Sequence, residues 1–475
     1  IFFLLTDLGN VKMRRKILVL GGGPCGLSAA WELAGQGCDV TVIEKDNKVG
    51  GLCVTHEYKG FRFDLGGHRF ISKNKALVGR VRAIMGDDLL IANRKSVILH
   101  KGKVFSYPLT IEDILFKMDL RQNLKIGVSY TRSLFYRWFF RGKEVSLEDW
   151  LINRFGRTLY RIFFGPYTEK LWGLPPDRIS SDWAPQRISL LHLGDAVLRL
   201  LRLKRGFLRT YTDKFWYPKN GIGQMFDAIS GEITQMGGEV ILSATVVGIT
   251  VSGDFVNGVT YLHGGVKKSM GCDAIISTIP LPDLVKAFPV ERAGHSVQCA
   301  EVLGFRAIRF LNILVDMPDI SENTWMYVSE RRYIMTRIQE PKRRSPYNAP
   351  EGKTSIMLEI PCNEDDAIWN CSQEQLLGQC VADLKELGID IKGRVIDCFI
   401  TGVTHGYPVY SLNYGAHRSE ILRFLSSYKN IITCGRQGAF QYVFMDRAME
   451  MGIEVARNLI SNIEQGITNV EGYRV

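Results

Sequence analysis

Three glycines near the start of the chain have a spacing that suits a dinucleotide diphosphate. Gly21, Gly23 and Gly26 form a G-x-G-x-x-G pattern directly after the apolar run Ile17–Leu20. In this pattern the first glycine permits a tight turn, the second lets the backbone approach a pyrophosphate, and the third lets helix and strand pack closely. The next apolar run ends at Glu44, whose carboxylate can accept hydrogen bonds from a ribose diol. Strand, helix and acid together predict a dinucleotide-binding βαβ unit.

Later segments indicate which dinucleotide this is. A second glycine pair, Gly50–Gly51, follows the acid, and short apolar runs at Cys272–Ile279 and Asn430–Cys434 can return to the same parallel sheet. This arrangement favours FAD held in an extended pose over an exchangeable NAD.

Length and composition limit the class of protein. The 475 residues are enough for two or more domains, and 46% hydrophobic and 23% charged residues are typical of a globular protein. A net charge of +11 suits an anionic ligand, nucleic acid or an acidic membrane surface. No basic low-complexity tail or RNA-binding motif is present, which argues against nucleic acid. The ten cysteines include no C-x-x-C pair, so we expect reduced thiols and no metal site.

The first residues, IFFLLTDLGNVKM, contain an apolar run of only five residues, too short for a signal sequence or a spanning helix. We treat residues 1–12 as an N-terminal extension, and no later run reaches the roughly 18 apolar residues that span a bilayer. The scattered cysteines, read as reduced thiols, lead us to expect a cytoplasmic protein.

Periodicity predicts the elements around these motifs. The predicted elements are a hairpin at Val97–Tyr107, helices at Leu109–Leu120, Leu147–Leu159, Gly221–Met236, Gln373–Leu387 and Met445–Ile463, and an antiparallel sheet of Val240–Ile249, Phe255–Leu262 and Val266–Met270. The fold class is therefore α/β: a Rossmann-like FAD-binding domain assembled from discontinuous segments, with a second domain that contains an antiparallel sheet and a helical subdomain. The predicted domains are residues 13–75, 220–285 and 425–475 for FAD, 76–219 for a helical lid region, and 286–424 for the substrate domain.

Four further strings carry aromatic, arginine and tyrosine side chains. They are PYTEKLWG at Pro166–Gly173, MTRIQEP around Arg337, GYPVY around Tyr407, and GRQGAFQYVFM from Gly435. Any one alone is more typical of a buried core or a salt bridge. Together they resemble the superfamily of FAD-containing amine oxidases, protoporphyrinogen oxidases and UDP-galactopyranose mutases, and they are most similar to the mutases over about Lys16–Ile463.

The resemblance implies roles for these side chains. In the mutases the tyrosine that matches Tyr167 stacks on uracil and the tryptophan that matches Trp172 lines the substrate pocket. Two arginines, matched by Arg187 and Arg337, bind the diphosphate, for which planar bidentate donors are well suited. The matches to Tyr407 and Tyr442 bind the diphosphate as well, and a further tyrosine falls near Tyr211 if a gap is allowed. The catalytic candidates are Arg187, Arg337 and His68. Of these, His68 would lie near the flavin.

The cofactor site implied by the fingerprint and the resemblance is larger than the glycines alone. It comprises Gly21, Gly23, Pro24, Cys25, Gly26, Glu44, Lys45, Gly50, Gly51, Leu52, Gly67, His68, Gly435, Arg436 and Met445.

Two departures from the mutase pattern concern the sugar. The paired histidines of the mutases reduce to His68 alone, and the stretch between Arg187 and Tyr211 is longer. That stretch belongs to a basic, leucine-rich segment, residues 188–217, which suits a lid, a partner groove, a peripheral membrane contact or an ordinary surface helix.

The resemblance implies a flavin-dependent UDP-sugar pyranose/furanose mutase, in which N5 of reduced FAD attacks the anomeric carbon. An external reductant such as NAD(P)H and a homodimer are further implications. The alternatives are an FAD-dependent oxidase of the amine or porphyrinogen type, which needs an apolar cavity and no paired arginines, and a flavin-binding scaffold without catalysis.

Overall fold

The computed structural model of the chain describes residues 15–139, 144–184 and 214–464. The chain divides into two units, each built from separated segments. Unit 1 comprises residues 1–51, 226–300 and 420–475, and unit 2 comprises residues 52–225 and 301–419. The domain boundaries predicted at residues 75 and 285 differ from this division, which assigns residues 52–75 to unit 2 and residues 286–300 to unit 1.

Five parallel strands form the main sheet of unit 1. Their order is Ile431–Thr433, Ala274–Ser277, Lys16–Leu20, Asp39–Ile43 and Glu239–Ile241. The central strands are almost continuously apolar because helices cover both faces of such a sheet. The discontinuous parallel sheet predicted from the sequence is therefore confirmed.

The helices of unit 1 begin with Pro24–Gly35, which packs against Met445–Glu464. The others are Leu281–Lys286, Val290–Ala293 and Gly435–Gly438. Three further helices continue across the unit boundaries: Gly223–Gln235, His295–Val302 and Tyr414–Ser426. The predicted helices at Gly221–Met236 and Met445–Ile463 are confirmed within two residues at each end.

A three-stranded antiparallel sheet, Ala244–Ser252, Phe255–His263 and Val266–Gly271, completes unit 1. The prediction of one strand over Val240–Ile249 was wrong, because the segment contributes to two sheets. Glu239–Ile241 joins the parallel sheet, and Ser243, with φ of +52°, turns the chain before the antiparallel strand starts.

A seven-stranded sheet forms the centre of unit 2. Its order is Val395–Pro408, Phe305–Val315, Thr354–Cys362, Arg337–Gln339, Trp325–Val328, Ser96–His100 and Lys103–Ser106. All pairs are antiparallel except Trp325–Val328 with Ser96–His100. One face of this sheet is covered by the helix Gln373–Glu386, whose Leu376, Cys380 and Leu384 belong to a buried apolar cluster. The predicted antiparallel-sheet domain and the hairpin near residue 100 are confirmed.

Unit 2 also contains two small antiparallel pairs and the remaining helices. The pairs are Thr55–Tyr58 with Phe61–Asp64 and Leu89–Asn93 with Lys214–Pro218. The helices are Lys75–Met85, Ile111–Lys117, Leu120–Phe139, Leu147–Leu159, the π-helical turn Tyr160–Phe164, Gly165–Trp172, Ala367–Asn370 and Gln373–Glu386. Short 3-10 turns occur at Gly51–Cys53, Gly86–Asp88, Pro176–Arg178, Ser181–Trp183, Pro341–Arg343 and Pro346–Asn348.

Two predictions in this region need correction. The helix predicted over Leu109–Leu120 ends at Lys117, and Asp119 then accepts a hydrogen bond from the Gln122 amide to start a second helix. The end of the basic segment 188–217 is a strand, since Lys214 onward pairs with Leu89–Asn93; its first 26 residues, 188–213, lie outside the described residues.

Two sequence-based expectations concern the state of the cysteines and the presence of membrane-spanning helices. All ten cysteines, each of which is described, are free. Within the described ranges, no helix combines the length and apolar character needed to cross a bilayer.

Candidate functional site

The glycine turn of unit 1 is closed on one side and open on the other. An added Cβ atom at Gly26 would lie 1.9 Å from the carbonyl oxygen of Gly21, so helix and turn touch as the fingerprint requires. At Gly23, directly before the helix that starts with Pro24, an added Cβ atom would meet no atom of the described residues within 4 Å. The bare backbone at Gly23 and the helix N-terminus therefore leave space for an anionic group.

Glu44 lies at the end of the second parallel strand and faces this turn. Its Oε2 accepts a hydrogen bond from the Gly22 amide at 2.6 Å, and its Oε1 accepts one from the Asp46 amide at 2.9 Å. Burial raises the pKa of Glu44, although both hydrogen bonds favour the charged form. Each oxygen keeps acceptor capacity for a ribose hydroxyl. The Gly50 amide donates to the Gly22 carbonyl at 2.8 Å, which holds the second glycine pair beside the first.

The last strand of unit 1 brings a second group of predicted cofactor residues to this end of the sheet. The Gly435 position is so close to the first helix that an added Cβ atom would lie 2.8 Å from Cβ of Cys25. The sulfur atoms of Cys25 and Cys434 are 3.5 Å apart. The Arg436 guanidinium lies 4.2 Å from the ring centroid of Tyr442, so a predicted cofactor residue and a predicted substrate residue form one stacked pair. Met445 begins the terminal helix, and Lys45 is exposed.

Arg337 is the centre of a buried charged cluster in unit 2. Its Nη2 lies 2.7 Å from Oε2 of Glu359, while the other oxygen of Glu359 accepts from the Gly67 amide at 3.2 Å and from Gln339 at 2.5 Å. Burial opposes the charge on Arg337, but Glu359 and three nearby tyrosines raise its pKa further above the usual value. Within the described part of the chain, the buried Nε of Arg337 has no hydrogen-bond partner. That atom is therefore available to an anionic ligand. His68 follows Gly67 and donates its backbone N–H to the Gly66 carbonyl at 3.1 Å.

Aromatic rings surround the Arg337 cluster. Tyr327, on the neighbouring strand, has its ring centroid 5.7 Å from the Arg337 guanidinium and 6.1 Å from the ring of Tyr167. Burial raises the pKa of Tyr167 well above its usual value, so this phenol remains a hydrogen-bond donor. Trp172 is buried and packs 5.8 Å from the ring of Tyr407. Tyr167 and Tyr407 are both close enough to Arg337 to interact with its charge.

Sequence reasoning missed several residues of this site. Tyr327 and Glu359 lie in strands that carry no spacing pattern linking them to Arg337. Lys170 lies within the recognised string PYTEKLWG, yet its role is visible only in three dimensions: its Nζ lies 2.8–3.1 Å from the carbonyl oxygens of Val328, Glu330, Tyr333 and Met335. It thus anchors the loop that leads into Arg337. Burial lowers the pKa of Lys170 to about 7, whereas the carbonyl oxygens favour its ammonium form.

Two cations also missed by sequence reasoning extend the aromatic surface. The Arg94 guanidinium lies 5.3 Å from the ring of Tyr107, which itself stacks on Tyr327 at 4.3 Å. The Arg69 guanidinium lies 5.8 Å from the ring of Trp325. No sequence motif singled out either arginine. Arg187 and Tyr211 lie outside the described residues, so their predicted roles stay predictions.

These features have their counterpart in one protein family. The model of the flavin-containing amine oxidoreductases matches residues 24–460 of the chain, and the chain belongs to this family. The family, the parallel sheet and the separate antiparallel-sheet unit together confirm the predicted fold class.

Individual relatives are more distant. AofH of Mycobacterium tuberculosis, whose name assigns it to flavin-containing monoamine oxidases, is 28% identical over 266 residues, which cover 50% of this chain and 53% of AofH. Coproporphyrinogen III oxidase of Propionibacterium freudenreichii is 33% identical over 183 residues, 35% of this chain and 33% of that enzyme. The chain thus spans about half the length of the first relative and a third of the second.

Among solved structures, a reduced UDP-galactopyranose mutase superposes with a TM-score of 0.82 at 20% identity over 97% of both chains. A putrescine oxidase superposes with a TM-score of 0.63 at 17% identity, over 94% of this chain and 99% of the oxidase. These two similarities show the fold.

The family implies a flavin, and the residues of unit 1 fit FAD. The open backbone at Gly23 and the helix that begins at Pro24 would hold the diphosphate, and Glu44 would hold the ribose diol. Gly435 and Arg436 lie at the same end of the parallel sheet. The chemistry of the family is carried by the cofactor, so the protein needs to bind, orient and stabilise charge.

Proposed function

We propose that this chain is a flavin-dependent UDP-sugar mutase that interconverts pyranose and furanose forms. The observation that carries the proposal is the buried Arg337 cluster of unit 2, where a guanidinium lies among three tyrosines and its buried Nε has no hydrogen-bond partner among the described residues. A permanent cation and neutral phenol donors suit a diphosphate, because both can donate hydrogen bonds to phosphate oxygens. A protonated amine, by contrast, would be repelled by a buried guanidinium.

In this proposal the side chains of unit 2 hold the nucleotide part of the substrate. Tyr167 presents an aromatic ring for the uracil, and such stacking contributes about 1–3 kcal/mol per base. Arg337 and Tyr407 bind the diphosphate before the bond between sugar and UDP breaks, and they keep the released UDP in the site. Recombination of UDP with the sugar is then effectively intramolecular. When bound in its reduced form, the flavin supplies the nucleophile for the anomeric carbon. Arg187 is the second diphosphate arginine in this proposal.

A specific observation favours an oxidase as the second candidate. Glu359 pairs with Arg337 and compensates its charge, so the cluster is electrically closer to neutral than a site with two unpaired arginines. The names of the sequence relatives, a monoamine oxidase and a coproporphyrinogen oxidase, agree with this alternative. An oxidase would remove hydride from its substrate and pass the electrons to oxygen.

One experiment separates the two. The flavin-loaded chain is reduced with dithionite under anaerobic conditions and mixed with UDP-galactopyranose, and the products are separated by chromatography. The mutase proposal expects furanose product in the reduced state alone, and Arg337→Lys should reduce that turnover more than Arg332→Lys, an exposed control. Oxygen consumption with an amine or porphyrinogen, together with no UDP-sugar conversion in either redox state, would establish the oxidase instead.

A further inference from the structure

The helix Leu120–Phe139 of unit 2 has an apolar stripe on its outer side. The stripe consists of Leu120, Leu124, Val128, Phe135, Trp138 and Phe139. The first five follow one another at intervals of three, four or seven residues, and Phe139 follows Phe135 by four, so all six share one face. All six side chains are exposed, Leu120 by 76% and Trp138 by 82%. In the preceding helix Phe116 is 85% exposed. Monomeric soluble proteins seldom expose so many large apolar side chains together.

The helix does not need this stripe for its own packing. Ile126 and Ser133 on the opposite side are buried, and the helix packs there against Leu147–Leu159. The Thr158 amide donates to the hydroxyl of Ser129 at 3.0 Å, which fixes that side. The helix is thus attached to unit 2 through one face and presents a second apolar face outward.

The charge beside the stripe indicates what it binds. Residues 120–139 contain four basic side chains and no acidic one. Arg121, Lys125 and Arg132 are exposed. Arg121 and Lys125 directly follow members of the stripe and Arg132 lies one helical turn after Val128, so all three flank the stripe on the same side. An apolar face with aromatic residues and a basic flank has the chemistry of an interfacial membrane helix.

We propose that this helix lies on the surface of a membrane that contains anionic phospholipids. The stripe enters the boundary between headgroups and acyl chains, and the three cations contact the phosphates. Electrostatic complementarity argues against a second copy of the chain as the occupant, because self-association would bring two basic flanks together. The proposal is independent of the reaction catalysed, and it concerns a segment other than residues 188–217.

The test uses the flavin-loaded full chain and flotation with two kinds of vesicles, phosphatidylcholine alone and phosphatidylcholine mixed with phosphatidylglycerol. We expect binding to the anionic vesicles that weakens as salt is raised. Trp138→Ser combined with Phe139→Ser should lower the partition coefficient by about tenfold or more. These side chains are exposed, so flavin content and thermal unfolding should stay unchanged.

Matched controls isolate the helix. Val128→Ser should weaken vesicle binding by about threefold, whereas Val266→Ser, at an exposed valine of unit 1, should not. Replacing Arg121, Lys125 and Arg132 by Gln should remove the preference for anionic vesicles, while Gln at the exposed Lys267, Lys385 and Lys392 should keep it.

Three results would overturn the proposal: no flotation with anionic vesicles, equal losses in both members of a matched pair, or a lipid-free dimer that Trp138→Ser with Phe139→Ser converts to monomer while flotation is absent. The last result would identify a second copy as the occupant of the stripe.

Discussion

The ligand side of the glycine turn in unit 1 is bare backbone, whereas the surroundings of Arg337 in unit 2 are filled by charged and aromatic side chains. At Gly23 there is room because a side chain is missing. At Arg337 a guanidinium is held in place by Glu359 and by tyrosines from two strands and one helix. The first arrangement is a matter of steric space and the second of electrostatic compensation. They should therefore fail in different ways when altered.

The largest effect is expected at Glu359. Glu359→Gln leaves the charge of Arg337 buried without its counterion, and removal of one partner of a buried ion pair costs about 3–5 kcal/mol of stability. Urea denaturation followed by fluorescence measures the loss. Glu386→Gln, at an exposed carboxylate, is the control. An unchanged midpoint for Glu359→Gln would mean that the ion pair does not compensate a buried charge.

In unit 1 the fold and the cofactor should respond to different glycines. Gly26→Ala forces a methyl group against the Gly21 carbonyl and should destabilise the protein by about 1–3 kcal/mol. Gly23→Ala meets no protein atom, so it should leave the apoprotein stable but lower its affinity for FAD. Thermal unfolding of apoprotein and flavin titration separate the two. Equal effects of both substitutions on apoprotein stability would contradict the distinction.

Lys170 offers a smaller change within unit 2. Lys170→Met removes the donor shared by four carbonyl oxygens and should cost about 2 kcal/mol. It should also lower turnover if the loop before Arg337 loses its position. The exposed Lys392, replaced by Met in parallel, provides the control for loss of charge. Stability equal to wild type would show that water replaces the ammonium without penalty.

The pH dependence of stability gives an independent measure of Lys170. Its pKa is about 7 in the folded protein and near 10.5 in the unfolded chain, so between these values the unfolded chain binds more protons. The free energy of unfolding therefore rises with pH over this range because of this group. Denaturation between pH 7 and pH 10 should show a shallower rise for Lys170→Met than for wild type. Parallel curves would place the folded pKa at its ordinary value.

The smallest expected effect is chemical rather than energetic. The hydrogen bond to Cys434 and burial raise the pKa of Cys25, so its thiol should react slowly with iodoacetamide in the native protein at pH 8. Mass spectrometry after labelling, with a denatured sample as control, measures the difference. Rapid native labelling would show that the end of the parallel sheet opens readily.

The two sites also differ in how far the sequence predicts them. The βαβ unit was predictable because the glycines, Glu44 and their strands are local and depend on backbone geometry. The Arg337 site was predictable only where a string resembled a known family. Glu359 and Tyr327 could not be predicted, because strand pairing brings them beside Arg337 from distant parts of the sequence. Lys170 could not be predicted, because its partners are backbone carbonyl groups, which no pattern of side chains reveals. The end of the helix predicted over Leu109–Leu120 was wrong, because the capping residue Asp119 starts a new helix there.

The parallel sheet described above has a consequence for biosynthesis. Its central strand, Lys16–Leu20, pairs with Ala274–Ser277, which lies about 260 residues later in the chain, and Ala274–Ser277 pairs in turn with Ile431–Thr433, about 160 residues further on. During translation, the apolar strand Lys16–Leu20 is therefore made long before Ala274–Ser277, with which it pairs. Such long sequence separations slow folding and leave apolar, aggregation-prone surface exposed. We therefore expect the nascent chain to need chaperones until the strand Ile431–Thr433 has been synthesised.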